Sequence, residues 1–457
     1  MKHLSVCAIA VALTLAGPVA VADQTDSFKP LFNGRDLSGW VNVNCAPETW
    51  SVADNMIHCT GKPICELRTD RMYENFVLEL EWMHMVPKAN AGVFIWGDAI
   101  TARGQPFVRA IEIQVLDGNH GDIFPIHGAR MTPDPASPNR GDRSLPREQR
   151  SRPAGEWNQY RITALNGTVK LEVNGGEVAG GSNISPRKGY IHLESEGGVV
   201  KWRNIRLREL PPSAGTLAAE DVALADEGFL SLYTGTDFRG WQFPAGHDAH
   251  WVSRDWWMTY DGQSTAADKD LKSERTFGDV SVIADWRQAP SPDPILPIGL
   301  EGMTIPADAH ALATKAIVAA GQPPAGGRPG GRGGGASPAG AAQAAGAAGP
   351  AAAPAAAAPA GEGPAGGRGG PVAGGGAPEA GRGGQAAGRR GGGGGGAGRP
   401  WVRGVLTRQK GRVSLTINGQ PVFQDLAAPG ATSRGRLVLR HQERPIDFAS
   451  IFVKTLN

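Results

Sequence analysis

Along most of the chain, apolar and polar positions alternate in short runs. Phe76, Leu78, Leu80 and Trp82 fall on one side of such a run, and Glu79 and Glu81 fall on the other. A period of two is the mark of a strand with one buried face. Ile111, Ile113 and Val115 repeat the pattern against Glu112 and Gln114. Asn174-Gly175 and Asn418-Gly419 each close an alternating run. Both residue types tolerate positive φ, so each pair predicts a tight hairpin turn. No long stretch beyond the N-terminal segment has the period of a helix. Many short strands separated by Gly, Pro and Asn predict an all-β chain of the sandwich or jelly-roll kind.

The same pattern is written twice. Phe32-Asn33-Gly34-Arg35-Asp36-Leu37-Ser38-Gly39-Trp40 returns as Tyr233-Thr234-Gly235-Thr236-Asp237-Phe238-Arg239-Gly240-Trp241. Trp50 and Trp251 follow at equal distances, Leu67 to Trp82 matches Leu271 to Trp286, and Val169 to Gly175 matches Val413 to Gly419. Matches in one order imply a duplicated domain, with a unit too long for a solenoid. The second copy is interrupted over 321–400 by Gly, Ala and Pro with scattered Arg. Such a segment cannot bury enough apolar surface to offset its conformational entropy, and it is expected to be disordered. Its Arg-Gly-Gly triplets resemble RNA-binding tails, but without aromatic residues between them no nucleic-acid partner is expected.

Composition sets the compartment and removes several chemistries. Lys2 and His3 precede an apolar run from Leu4 to Leu15, and Ala20-Val21-Ala22 has the small-x-small form of a cleavage site. That run is short of a spanning helix, so residues 1–22 read as a signal peptide and the mature protein as periplasmic or secreted, without membrane insertion. The expected order is a first sandwich over 23–212, a linker over 213–224 and a second sandwich over 225–457. A net charge of +2 selects no partner by charge alone. Of the cysteines left after cleavage, Cys45 and Cys59 flank a strand-like stretch and are the expected disulfide, with Cys65 over. No Gly-x-Ser-x-Gly, P-loop or dinucleotide fingerprint is present, which disfavours serine-esterase, NTPase and Rossmann chemistry.

Candidate chemistry concentrates in the first copy. Glu112 and Gln114 share a strand face, and the following loop carries Asp117, Asn119, His120, Asp122 and His127. Carboxylates, amides and imidazoles gathered on a loop above a rigid sheet suit sugar hydroxyls or acid/base work. His120 and His127 with Asp117 or Asp122 include zinc-ligand types, at a spacing that matches no strong pattern. His192, Glu194 and Glu196 alternate onto one face, which is costly to bury and favours a concave binding surface. Arg143, Arg147, Arg150 and Arg152 form a basic loop. In the second copy only Glu301 and His441 stand out, which points to a degenerate copy kept for scaffolding or sugar binding.

Five motifs in order carry a resemblance: Phe32 to Trp40, Asn90-Ala91-Gly92-Val93-Phe94, Glu112 to Asp117, Gly155-Glu156-Trp157-Asn158 and Trp202-Arg203-Asn204-Ile205. Over about Phe28 to Leu210 the chain resembles the 3-keto-disaccharide hydrolase family, whose fold is similar to concanavalin-like and laminarinase-like jelly rolls. The laminarinase E-x-D-x-x-E strand is not reproduced, because Gln114 stands where a carboxylate would. The resemblance implies cleavage of 3-keto-glycosides produced by a separate sugar 3-dehydrogenase. A ketone at C3 acidifies the C2 proton, so a base can remove it and expel the C1 substituent, after which water adds. This chemistry assigns Glu112 or His120 as base and His127 or Glu194 as acid. Gln114, Asp117, Asn119, Trp96, Glu196 and Arg143 are the candidate sugar ligands. No cofactor is demanded, although a divalent metal ion could act as the electrophile. Many relatives carry Arg where this chain has Trp96, and Gln and His where it has Glu194 and Glu196, which implies a different sugar. The reading from another class is a lectin-like, non-catalytic carbohydrate-binding protein.

Overall fold

The alternating runs of the first half close into two facing antiparallel sheets. A computed structural model describes residues 27–322, 399–428, 434–441 and 443–456. The expected signal peptide, and all but the ends of the expected insert, lie outside the described residues. The back sheet runs Arg130–Pro133, Gly176–Ser185, Thr168–Val173, Asn158–Leu165, Phe76–His84, Val200–Glu209, Met56–Cys59, Trp50–Ala53. The front sheet runs Asn139–Arg140, Arg143–Ser144, Asn119–Ile126, Ala110–Leu116, Gly92–Gly97, Tyr190–Ser195, Cys65–Thr69, Trp40–Asn42. Phe76, Leu78, Leu80 and Trp82 from the back meet Val93, Ile95, Ile111, Ile113 and Val115 from the front in one buried core. Each such side chain contributes roughly 1.5–3 kcal/mol on burial. Glu79 and Glu81 face outward and pair with Arg206 and Arg203. Both Asn-Gly pairs turn with positive φ at each residue, as the hairpin reading requires.

The second sandwich repeats this path. Its larger sheet runs Gln420–Ala427, Arg412–Ile417, Val402–Gln409, Val280–Gln288, Ile446–Thr455, Trp257–Tyr260, Trp251–Arg254. The smaller is Trp241–Gln242, Leu271–Phe277, Gly435–Leu439, Ile298–Leu300. It stops where the first sandwich continues into Ala110–Leu116 and Asn119–Ile126. After Leu300 the chain instead forms a helix, Ala307–Ala320, which the sequence reading did not expect. Its buried positions are Ala309, Ala313 and Ile317. Two of these are alanine, so the apolar stripe is faint in sequence even though alanine is the best helix former.

The disulfide joins Cys45 to Cys65, not to Cys59. Cys45 lies in the connection after the edge strand Trp40–Asn42 and Cys65 opens the neighbouring strand of the front sheet, with α-carbons 5.3 Å apart. Cys59 lies on a back-sheet strand and stays free and buried, with burial pushing its thiol up to about 11.

The two sandwiches dock through specific groups. Asp285 of the second forms an ion pair with Arg403 and also accepts the Gly104 N–H of the first at 2.7 Å. Arg403 donates to the Thr101 carbonyl at 2.9 Å. Val43 packs with Ile283 and Phe452 beside them.

Candidate active site

Pleating sends every second side chain of the front sheet away from the core. Register then decides which of these outward groups meet. Glu66 lies directly opposite Glu194, Arg68 opposite His192, Phe94 opposite both His192 and Glu112, and Gly92 opposite Gln114. Gly92 leaves space for the Glu194 carboxyl: a Cβ there would sit 2.6 Å from Glu194 Oε2. The result is a carboxylate cluster sunk into the sheet face, with Glu66 and Glu194 at 0% exposure and Glu112 at 2%. This is not the open, solvated strand face that alternation alone suggests.

Burial without full pairing sets the electrostatics. Glu66 Oε1 accepts the Val108 N–H at 2.7 Å, and its Oε2 lies 2.5 Å from His192 Nδ1. Gln114 donates to Asn90 Oδ1 at 2.8 Å, and Asn90 in turn donates to Glu196. Desolvation, then the neighbouring Glu196, Glu112 and Glu66 charges, hold Glu194 far above the usual carboxylate range. Glu112 is raised by the same desolvation and by Glu196, against the pull of Arg143. Glu196 is pushed up to about 7 by burial, while its hydrogen bond with Glu194 opposes the rise. Their mutual contact raises Glu194 and lowers Glu196, so of the two Glu194 is held the higher. The arrangement therefore holds a protonated carboxyl beside a carboxylate that ionises near neutral pH.

Other expected site residues are placed differently. A register shift between Ile113 and Val115 puts His120 opposite Val115. Its ring consequently enters the core, stacked on Trp82 at 4.5 Å, and burial lowers its pKa to about 4. His120 is thus separated by the sheet from the face that carries Glu112. His127 sits past the end of its strand with φ +50, and its pKa is likewise lowered to about 4 by burial. Trp96, also at positive φ beside a register shift, buries its indole in the core and donates to the Glu74 carbonyl. It therefore presents nothing to a ligand. Asp117 accepts the Lys88 N–H, away from the cluster. Asn119 and Arg143 both reach Asp122, and the Arg143 guanidinium lies 3.5 Å over the Phe124 ring. The Arg143 charge acts on Glu112, whereas Arg147 and Arg150 pair with acidic neighbours and Arg152 bonds the Trp157 carbonyl. The zinc grouping of His120, His127, Asp117 and Asp122 is not assembled. Among the described residues, no group of three or more such side chains is placed to hold a metal ion.

Sequence reasoning missed Glu66, His192 as its partner, and Asn90. Alternation in Cys65-Glu66-Leu67-Arg68 did carry a signal for Glu66, but the pairing with Glu194 is long-range.

The second sandwich shows what happens when the cluster is dismantled. Leu67 pairs with Leu193 as Leu271 pairs with Leu439. By that register Asp270 stands for Glu66, Arg440 for Glu194 and Val438 for His192. Asp270 and Arg440 lie 3.7 Å apart as an ion pair, so the carboxylate couple of the first copy becomes a neutral pair. Glu301 pairs with Arg436, and His441 stacks on Tyr260 at 3.7 Å.

Residues 27–208 match the model of the 3-keto-alpha-glucoside-1,2-lyase-like domain. A Bacteroides thetaiotaomicron protein named 3-keto-disaccharide hydrolase is 25% identical over 41% of this chain and 80% of its own length. A solved Parabacteroides distasonis protein, assigned provisionally as a glycosyl hydrolase, is 19% identical, covering 40% of this chain and 94% of its own, with a TM-score of 0.32. Bacillus licheniformis beta-glucanase is 12% identical over 40% of this chain and 98% of its own, with a TM-score of 0.28.

Proposed function

Since the first sandwich belongs to the 3-keto-alpha-glucoside-1,2-lyase-like family, we propose that it cleaves 3-keto-glycosides by elimination and hydration. The observation that carries this reading is the placing of Glu194 beside Glu196 within the carboxylate cluster of the front sheet, where burial holds Glu194 far above the usual carboxylate range and pushes Glu196 up to about 7. Pairs of carboxyls whose environments separate their roles are how one site supplies both acid and base. Glu196 takes the C2 proton, made acidic by the C3 ketone. As the C1–O bond breaks, Glu194 gives its proton to the leaving oxygen. The C1–C2 double bond that forms is conjugated to the ketone. Water then adds at C1 and returns its proton to Glu194, while Glu196 gives its proton back to C2. One water is consumed, two sugars leave and both carboxyls are reset.

Glu112, neutral at working pH and beside Glu196, is a hydrogen-bond donor for a sugar oxygen. Arg143 offers N–H groups at the edge, and Gln114 and Asn90 hold Glu196 in place. This revises the base from Glu112 or His120 to Glu196 and keeps Glu194 as acid. The reading of residues 1–22 as a signal peptide supports a reaction outside the cytoplasm, with a separate dehydrogenase as the source of the 3-keto sugar. The test is to incubate the protein with a 3-keto-disaccharide and measure released monosaccharide by chromatography. Release that disappears in Glu194→Gln and Glu196→Gln supports the reading. Sugar binding without release would select the non-catalytic alternative.

A further inference from the structure

The second sandwich has an Asp270–Arg440 ion pair in place of the carboxylate couple but borders the couple of the first. Its hairpin between Trp251–Arg254 and Trp257–Tyr260 turns at Asp255, which has φ +64. Asp255 Oδ1 accepts the Ile64 N–H of the first sandwich at 2.7 Å. Ile64 packs on Phe94, Phe107, Val108 and Ala110. Phe94 and Ala110 share the sheet face of Glu112, and Val108 N–H holds Glu66. The hairpin tip is therefore seated at the border of the carboxylate cluster, and the Asp255 charge reaches Glu196.

Beside the tip stand three indoles. The Trp256 ring lies 4.6 Å from Trp257 and 5.9 Å from Trp401. Trp401 packs against Gly104, where a Cβ would collide with its ring. Gly104 lies in the same connection, between Gly92–Gly97 and Ala110–Leu116, that supplies Val108. All three tryptophans remain only half-buried. Glue between domains would be expected to bury its rings, and the apolar contact that does so, Val43 with Ile283 and Phe452, is a separate patch. The Arg287 guanidinium lies 4.5 Å over the Trp401 ring, so Trp256 is the indole left to offer an apolar face at the border of the carboxylates, and such a face suits a pyranose ring.

We propose that the second sandwich forms the outer wall of the first sandwich's site, with Trp256 as the platform for the sugar ring beyond the bond that is cleaved. This rests on the carbohydrate reading of the site, but its test does not require turnover. Maltose and methyl α-glucoside, neither of them oxidised, are titrated calorimetrically into the full chain and into Trp256→Ala and Trp256→Phe. Loss of the platform should weaken maltose by about tenfold, the equivalent of one good contact, and leave methyl α-glucoside within about twofold. Trp256→Phe, which retains an aromatic face, should restore most of the maltose affinity and guards against a folding artefact. Equal loss for both sugars, no loss for either, or no sugar binding by the parent would overturn the proposal. Turnover of a 3-keto-disaccharide by the parent is read separately. If it is absent while the maltose effect holds, the enzymatic reading fails and the wall stands.

Discussion

Glu196 titrates where its neighbours do not, and two opposite pH dependences follow. As the base it must be ionised, so kcat/KM should fall on the acid side with an apparent pKa of about 7, and a pH–rate profile reads this directly. Stability runs the other way. The folded pKa of about 7 lies above the ordinary value of 4.5, so the native state holds the extra proton between those values. Glu196 therefore contributes stability at low pH that is lost as pH rises toward about 7. His120, His127 and His441, each lowered to about 4, act in the opposite sense as pH falls below 6.5. The difference between the melting curves of the parent and Glu196→Gln isolates the carboxyl: the variant should gain stability relative to the parent as pH rises through this window. Glu112→Gln should fold normally, because a neutral carboxyl is replaced by a neutral amide, yet lower turnover by roughly 10²–10⁴-fold if its donated hydrogen bond is used in the reaction. His441→Ala should leave turnover within a few-fold of the parent. If circular dichroism shows both variants folded and only His441→Ala is inactive, the site has been assigned to the wrong sandwich. His120 tests the placement independently. Its ring nitrogens have no partner in the core, so His120→Phe should keep turnover, whereas a true base could not be replaced.

At the scale of the strand, the outward polar groups matter only because register brings them together. Gly92→Ala probes that register, since a methyl group there meets the Glu194 carboxyl 2.6 Å away. The expected result is a folded protein with a modest drop in melting temperature and a large drop in turnover. Unchanged kinetics would mean that Glu194 is free to move aside. Much of this scale was legible beforehand. Period-two runs located the strands around Phe76 to Trp82 and Ile111 to Val115, and Asn-Gly marked the hairpins. Three features escaped for physical reasons. The shifts near His120 and Trp96 reverse a side chain's face without leaving a compositional trace. Glu66 acquires its meaning from Glu194, which lies far away in sequence. The alanine-rich helix has almost no contrast between its faces. The disulfide failed for a related reason: proximity in sequence favoured Cys59, whereas sheet membership favoured Cys65.

At the scale of the molecule, one buried carboxylate links the two sandwiches. Asp285 is fully buried in the second, pairs with Arg403 through both oxygens, and accepts the Gly104 N–H from the connection that also supports Glu66. Arg403 extends the link to the Thr101 carbonyl. Removing one member of such a set leaves a half-buried guanidinium and a buried N–H without their acceptor, which costs roughly 3–5 kcal/mol. Asp285→Ala should therefore weaken the second sandwich and loosen its hold on the first. Calorimetry should show the parent's unfolding giving way to two separated transitions, with the first sandwich melting last because its disulfide and most of its core lie outside the lesion. Asp285→Asn keeps an acceptor for Gly104 and should recover part of the loss. If the second sandwich walls the site, the loosened Asp285→Ala protein should also lose more affinity for a disaccharide than for a methyl glycoside, although no tryptophan has been touched. A single cooperative transition and unaltered sugar preference in that variant would mean that the other contacts between the sandwiches suffice to join them, and that Asp285 serves only its own strand.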